Sequence, residues 1–480
     1  MKLGQTSVVY FFSKFGSSIA GFVATLYIAR ALGAEVYGIY ALALAVLAWL
    51  KIGGKIGVSS AITKRVSEGE DSDAYLMTGL GMMAAIFTIA ATAAIVLRNP
   101  LESYIGAPVL SVLLVLLAAE LFRSFTSSAL QGQHLVHVYA VLDPVNVTMR
   151  SVLQIGAIVV GFSVAGLLAA YAFASIAIAL VSLLVISVTL TRPTLRHAKS
   201  LFEYAKYAWL GNLKKMSFSW IDVTVLGFFV SSALVGVYSI AWSIAAVLTI
   251  FSKGISTTLF PEISKISSQE DVSQVSNLVT DALRYNGLFM IPGLVGAAVL
   301  GERILLIYGS EFVVGTTVLL ILIAARTIYG YQKQLVNTIN GIDRPDIAFR
   351  INAAFVVVNV ILNVILIWQF GWLGAAVATT IAAAVTLVYA YFATRRFLEF
   401  DVPAMDIAYQ CVAALCMGLV AYTVVAVGPP MEDSIVGHLT TVLIVGVGAT
   451  VYFVSLYVLS REFRTTIDRN APVDVPFVRE

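Results

Sequence analysis

The amino-acid sequence predicts an all-α polytopic membrane protein of about fourteen transmembrane helices, two six-helix lobes followed by two C-terminal helices. Three observations lead there. Of 480 residues, 59% are hydrophobic and 12% charged, against roughly 25% charged in a typical soluble domain. The apolar residues fall in blocks of about 20, the length that carries a helix across roughly 30 Å of hydrocarbon. Such blocks occupy 74–97, 107–122, 151–190, 352–369 and 373–394. Third, the sequence lacks the alternating pattern of a membrane β-barrel, which leaves helices, whose backbone groups satisfy each other within the segment.

Taken in order, the spans are expected at 6–30, 37–62, 74–97, 107–131, 139–161, 164–190, 205–230, 233–259, 280–299, 313–335, 347–369, 373–394, 406–427 and 437–460. The first is read as a retained helix, because Lys2 and Lys14 flank its apolar stretch and no small-residue cleavage site follows. Charge alternates between the links. One set holds Lys64 and Arg65, then Arg192, Arg196 and Lys199, Lys265, Arg344, Arg395 and Arg396, and the arginines of the tail. The other set holds Arg30, Arg98 and Arg303, and its links at 161–164, 231–233 and 370–372 carry no charge. Cytoplasmic links are the basic ones, so both termini are expected on the cytoplasmic side of the cell membrane. That requires an even number of spans. The link 260–280, with Pro261, Glu262, Lys265, Glu270 and Asp271 among Ile263, Ile266 and Val272, reads as a short amphipathic surface helix. Residues 461–480 read as an unstructured cytoplasmic tail.

The spans also repeat. Gly38-Ile39-Tyr40-Ala41 opens the second span and Gly236-Val237-Tyr238-Ser239 the eighth. The same offset pairs the segment from Lys55 to Ser60 with that from Lys253 to Thr258. Phe162 to Gly166, at the sixth span, matches Phe370 to Gly374 at the twelfth. Six spans separate each pair, so the repeats share one orientation in the membrane. This divides the chain into an N-lobe at 1–199, a C-lobe at 200–400, a helix pair at 401–460 and the tail at 461–480. Parallel repeats of this kind are a transporter architecture.

Charges inside the spans are the candidate functional residues, because an ionisable group in hydrocarbon needs a cavity or a partner. They are Lys14 in the first span, Lys51 and Lys55 in the second, Arg150 in the fifth, Lys214, Lys215 and Asp222 in the seventh, and Lys253 in the eighth. Glu120 and Asp222 are the acidic exceptions. The functional reading is a solvated cavity with a positive lining, formed by Lys14, Lys51, Lys55, Arg150, Lys215 and Lys253, that holds a phosphate or diphosphate. The structural reading has the lysines snorkelling to the interface. Asp222 is read as an ion-pair partner of Lys214 or Lys215, ahead of a role in ion coupling.

Other signals carry less. A net charge of +3 with no basic arm points away from nucleic acid. Cys411 and Cys416 lie in one apolar span and read as core packing, with neither disulfide nor metal spacing. His134 and His137 have no third ligand, so no metal or other cofactor is expected, and Asn146-Val147-Thr148 lies in a span. No nucleophile elbow, phosphate loop or zinc motif occurs in the sequence, and an enzyme is not expected.

The segment Phe11-Phe12-Ser13-Lys14-Phe15-Gly16-Ser17, followed by Tyr27-Ile28-Ala29-Arg30-Ala31-Leu32-Gly33-Ala34-Glu35-Val36-Tyr37-Gly38-Ile39-Tyr40, resembles the start of the polysaccharide biosynthesis (Wzx-type) flippases. These belong to the multidrug/oligosaccharidyl-lipid/polysaccharide exporter superfamily. The link from Asn340 to Pro345 resembles that family too, and some details look like its archaeal branch serving surface-glycoprotein glycosylation. The resemblance implies movement of a polyprenyl-linked sugar, joined through phosphate or diphosphate, from the cytoplasmic to the outer leaflet. It also implies alternating access through a cationic cavity lined by spans 1, 2, 7 and 8, which carry Lys14, Lys51, Lys55, Lys215 and Lys253. Membrane lipids, and glycosyltransferases or a polymerase, are the expected partners.

Three rivals stand beside it. An ion-coupled multidrug extrusion antiporter would need embedded carboxylates, and the first span has none. A lipid II flippase differs only in substrate. A non-transporting scaffold for membrane glycosyltransferases predicts that the embedded lysines pair with carboxylates.

Overall fold

The computed structural model describes residues 3–51, 57–267, 272–428 and 430–470; it describes their side chains except those of 3–12, 14, 15, 207–215, 251, 253, 256–261, 272, 273 and 468–470. The helices are α1 (Leu3–Leu50), α2 (Ser59–Ser67), α3 (Ser72–Val96), α4 (Arg98–Ile105), α5 (Leu110–Gly132), α6 (Val136–Val159), α7 (Val164–Leu183) and α8 (Leu195–Phe229). They continue as α9 (Ser232–Ser267), α10 (Val272–Leu306), α11 (Thr316–Gly341), α12 (Pro345–Arg395), α13 (Ala404–Val427), α14 (Ile435–Leu459) and α15 (Arg461–Asn470). A short 3-10 turn at Ser310–Gly315 precedes α11. Among the described residues no strand occurs, and ten helical stretches are long and apolar enough to cross a membrane.

Two of the helices are each two spans in sequence. The chain of α1 is broken at Gly33 (φ 78°, ψ 174°) and that of α12 at Gly371 (φ 58°, ψ −139°), backbone that a residue with a Cβ adopts only under strain. The breaks fall where the sequence places the first-to-second and eleventh-to-twelfth links. Across the second break, Asn359 Nδ2 donates to Thr379 Oγ1 at 3.1 Å, with both side chains buried.

By packing, the chain divides into two compact units, Met1–Ser239 and Ile240–Glu480. In the first, α1 packs on α6, α5 on α2, α3 and α7, and α8 on α1, α2 and α3. Its apolar core centres on Leu113, Leu116 and Leu117 of α5 with Leu47 and Ile62. In the second, α11 packs between α10 and α12, while α13 and α14 pack on each other and on α10. Small residues of α12, Ala375, Ala376, Ala378, Ala382 and Ala383, are fully buried, which lets helix backbones approach closely. The outward surface is apolar: Ile89, Val160, Trp368, Phe392, Leu415 and Leu443 are all exposed. An apolar exterior of this extent fits lipid rather than water.

Each unit has a glycine at a helix end that lies tight against a neighbouring helix. A Cβ added to Gly132, at the end of α5, would fall 2.7 Å from Val66 Cβ of α2. A Cβ on Gly341, at the end of α11, would fall 2.6 Å from Ile263 Cγ2 of α9. Three expectations need correction. The link 260–280 holds no separate surface helix among the described residues: α9 runs on to Ser267 and α10 begins at Val272. The tail is not unstructured from its start, because α15 occupies Arg461–Asn470 and Phe463 stacks on Phe453 of α14. Cys411 and Cys416 are exposed on the outer side of α13 rather than packed in a core.

Candidate substrate-binding site

Helix α5 carries Glu120 and Arg123 three residues apart, so both side chains lie on one face. The Glu120 carboxylate is 1% exposed and accepts from Lys51, Arg123 and Ser175, among other contacts. Lys51 Nζ, just beyond the end of α1, donates to Oε2 at 2.8 Å. Arg123 Nε donates to Oε1 at 2.9 Å, and Ser175 Oγ of α7 donates to the same oxygen at 2.9 Å. Arg123 also reaches Asp143 of α6, with Nη1 3.8 Å from Oδ1.

A second layer lies alongside. Two turns after Asp143, the Arg150 guanidinium stands over the Tyr171 ring of α7, 4.6 Å from its centroid. Tyr40 of α1 accepts from Gln154 Nε2 of α6 at 2.7 Å, and the same amide donates to the Leu167 carbonyl at 3.2 Å. The end of α1, α5 and α6 thus bring three cations and two carboxylates into the interior of one apolar bundle, with Ser175 and Tyr171 of α7 beside them. A buried pair gains little over a well-packed apolar replacement, whereas a lone buried charge is strongly unfavourable. Lys51 and Arg123, paired in this way, are tolerated in the bundle without being the source of its stability.

On α8, Asp222 is 4% exposed and accepts from Tyr238 Oη at 2.6 Å. In the second unit the buried polar groups are mostly neutral. Arg326 of α11 stacks over Trp242 of α9, 3.9 Å from the ring centroid, and Ser252 Oγ donates to Asn286 Oδ1 at 2.7 Å.

The structure therefore places two of the sequence-predicted cations, Lys51 and Arg150, in the cluster of the first unit. Lys55 lies outside the described residues. Lys14, Lys215 and Lys253 lie on α1, α8 and α9, and their side chains, like that of Lys214, are outside the described ones. Arg123, Asp143 and Arg326 are added to the embedded charges, and Glu120 becomes the centre of the cluster. The signal for two of these was available: Glu120 and Arg123 form an i,i+3 pair of opposite charge inside an apolar run. The partnership of Glu120 with Lys51 had no local signal, because 69 residues separate them.

Fold and cluster define a polytopic α-helical membrane protein with charges enclosed in its bundle. The family model for "Polysaccharide biosynthesis protein" matches residues 27–315, and the chain belongs to that family. It is 30% identical over 476 residues, 98% of both chains, to the Haloferax volcanii protein named "Probable flippase AglR". It is 27% identical over 428 residues to the "Probable low-salt glycan biosynthesis flippase Agl15" of the same organism, covering 88% of this chain and 90% of that one. Among solved structures, the lipid II flippase MurJ in an inward closed conformation superposes with a TM-score of 0.79 at 17% identity, over 96% of this chain and 100% of that one. An inward-facing multidrug resistance transporter of the MATE family gives 0.67 at 15%, over 79% and 94%. These structures share the fold.

Proposed function

We propose that this chain is a flippase that moves a polyprenyl-linked glycan, joined through phosphate or diphosphate, from the cytoplasmic to the outer leaflet of the cell membrane. The observation that carries the reading is the likeness over 98% of both chains to a relative named as a flippase. The embedded charges supply the chemistry. Lysine and arginine hold phosphate through strong charge-assisted hydrogen bonds, and carrying those groups inside an apolar bundle is too unfavourable to occur without a polar ligand or partner. On this reading Lys14, Lys51, Lys55, Arg150, Lys215 and Lys253 take the anionic headgroup, while the glycan follows it and the lipid tail stays in the membrane. Asp222 serves ion pairing or coupling. The protein performs no bond-making step of its own.

The same reading gives the chain fourteen passes and both termini in the cytoplasm. Counting α1 and α12 twice at their glycine breaks, and adding α6 and α8 to the ten apolar stretches, reaches that number. Two six-helix lobes then alternate access to the headgroup, with spans 13 and 14 appended, and glycosyltransferases or a polymerase act before or after the flip.

Deleting the gene and identifying the lipid-linked sugar that accumulates on the cytoplasmic leaflet is the direct test. Unchanged lipid-linked glycans in the deletion strain refute the proposal. Single replacement of Lys14, Lys55, Lys215 or Lys253 by Ala is expected to reduce glycan export at unchanged protein level. Normal export in all four variants removes the cationic site.

A further inference from the structure

At the positions matched by the repeat, the ion cluster of the first unit has no charged counterpart in the second. The offset that pairs Lys55 with Lys253 pairs Lys51 with Thr249, and the matched glycines Gly132 and Gly341 pair Glu120 with Tyr329 and Arg123 with Gln332. All three matched positions are neutral in the second unit, and buried ion pairs are a poor source of stability. Glu120 is 1% exposed, whereas the Lys51 and Arg123 side chains are 12% and 13% exposed. The carboxylate is the most deeply enclosed of the three groups, and the two cations keep slightly more exposed surface.

Of the three groups, Lys51 and Arg123 are the more exposed. Both are already neutralised: Lys51 by Glu120, and Arg123 by Glu120 and, more distantly, Asp143. Each cation keeps further N–H donors, but the Glu120 charge beside them opposes a second anion, and a headgroup gains their full charge by replacing the carboxylate. We infer that Glu120 is an internal counter-ion, which holds Lys51 and Arg123 until substrate arrives and is displaced from them by the phosphate or diphosphate of the lipid headgroup. Ser175 Oγ remains as a donor to the released carboxylate. Asp143 keeps its side of Arg123 and Arg150 keeps its place over Tyr171, so the exchange leaves both displaced cations on the headgroup. The inference rests on the flippase reading and deepens it. It makes Glu120 a positioning residue that sets which anions bind: those with enough charge to outcompete a carboxylate on two cations.

The test is binding of farnesyl diphosphate to the purified full-length chain, with farnesol as the uncharged control. Glu120→Gln removes the competing charge while keeping the side-chain shape, and is expected to bind farnesyl diphosphate about tenfold more tightly, with farnesol unchanged. Glu120→Asp retracts the carboxylate by one methylene and is expected to shift affinity the same way by a smaller factor; it decides the matter if the Gln variant does not fold. In the wild-type chain with ¹³C-carboxylate glutamate, diphosphate binding is expected to shift one glutamate carboxylate band in the infrared difference spectrum. Equal or weaker binding in folded variants, equal tightening of farnesol, or an unshifted band overturns the inference while leaving the flippase reading in place. Loss of all diphosphate binding in the wild-type chain removes the cationic headgroup site and the inference with it.

Discussion

Gly38 of α1 and Gly236 of α9 face each other at a crossing so close that neither position has room for a side chain. A Cβ on Gly38 would land on the Ser232 carbonyl and 2.9 Å from Gly236 N; one on Gly236 would land on the Ala34 carbonyl and 3.0 Å from Gly38 N. The offset of the sequence repeat relates Gly38 to Gly236 and also Ala34 to Ser232. The contact is therefore reciprocal, each helix using the same residues toward the other, as at a two-fold interface. Two residues on, Tyr40 and Tyr238 are again matched, and each hydroxyl engages a buried polar partner, Gln154 and Asp222. Glycine allows the approach, and tyrosine ties each helix to its own surroundings.

Replacing Gly38 or Gly236 by Ala is expected to force this crossing apart. Overpacking of a tight interface typically costs about 1–3 kcal/mol, and a clash with backbone rather than a flexible side chain belongs at the upper end. Gly21→Ala is the control, because a Cβ there meets only Val147 Cγ1 at an ordinary 3.7 Å. Thermal unfolding of the detergent-solubilised chain should show both crossing variants melting well below wild type and Gly21→Ala close to it.

The glycine breaks make a second prediction. Gly371→Ala and Gly33→Ala put a Cβ on backbone at φ 58° and φ 78° respectively. Strain of that kind is worth about 1–3 kcal/mol. Both variants are expected to unfold at lower temperature. Gly81→Ala, within α3, places its new methyl group in open space and is expected instead to match or exceed wild type, since alanine suits a helix better.

Much of this architecture was legible in the sequence, because its causes are local. Apolar runs of membrane-spanning length, and the repeated glycines and tyrosines, all sit within short windows. The two-helix nature of α1 and α12 was legible for the same reason, since Gly33 and Gly371 interrupt otherwise apolar sequence. The cluster was only half legible. Lys51 and Arg150 stood out as charges in apolar runs, but what neutralises Lys51 depends on how α5 and α7 pack against the end of α1. The exposed face of α13 was misread for a related reason: an apolar span facing lipid looks the same in sequence as one facing a core, so Cys411 and Cys416 carried no sign of direction.

Tyr238→Phe removes the hydroxyl that donates to Asp222 at 2.6 Å. Hydrogen bonds to charged groups contribute about 1.5–3 kcal/mol, while the neutral Tyr40–Gln154 bond belongs nearer the usual value of about 1 kcal/mol. Tyr238→Phe is therefore expected to lower the melting temperature more than Tyr40→Phe does, although the two positions are equivalent in the repeat. Equal effects would mean that Asp222 draws little from Tyr238.

The ion cluster makes the sharpest stability prediction, because removing one charge and removing two act in opposite ways. Glu120→Ala leaves Lys51 and Arg123 short of their shared carboxylate, and breaking a buried pair from one side costs about 3–5 kcal/mol. Lys51→Met alone still leaves Glu120 with Arg123 and Ser175, so its effect should be smaller. The double variant Lys51→Met/Glu120→Gln leaves Arg123 with Asp143 and replaces the pair by groups of similar volume. It should recover a large part of the loss seen in Glu120→Ala. A thermodynamic cycle over Lys51→Met, Glu120→Gln and the double variant, measured by thermal unfolding in detergent, gives the coupling directly, since the residues touch and their effects cannot add. A coupling near zero would mean that the 2.8 Å contact between Lys51 and Glu120 contributes nothing in the folded chain. A favourable coupling of more than about 1 kcal/mol would show the two charges acting as a unit.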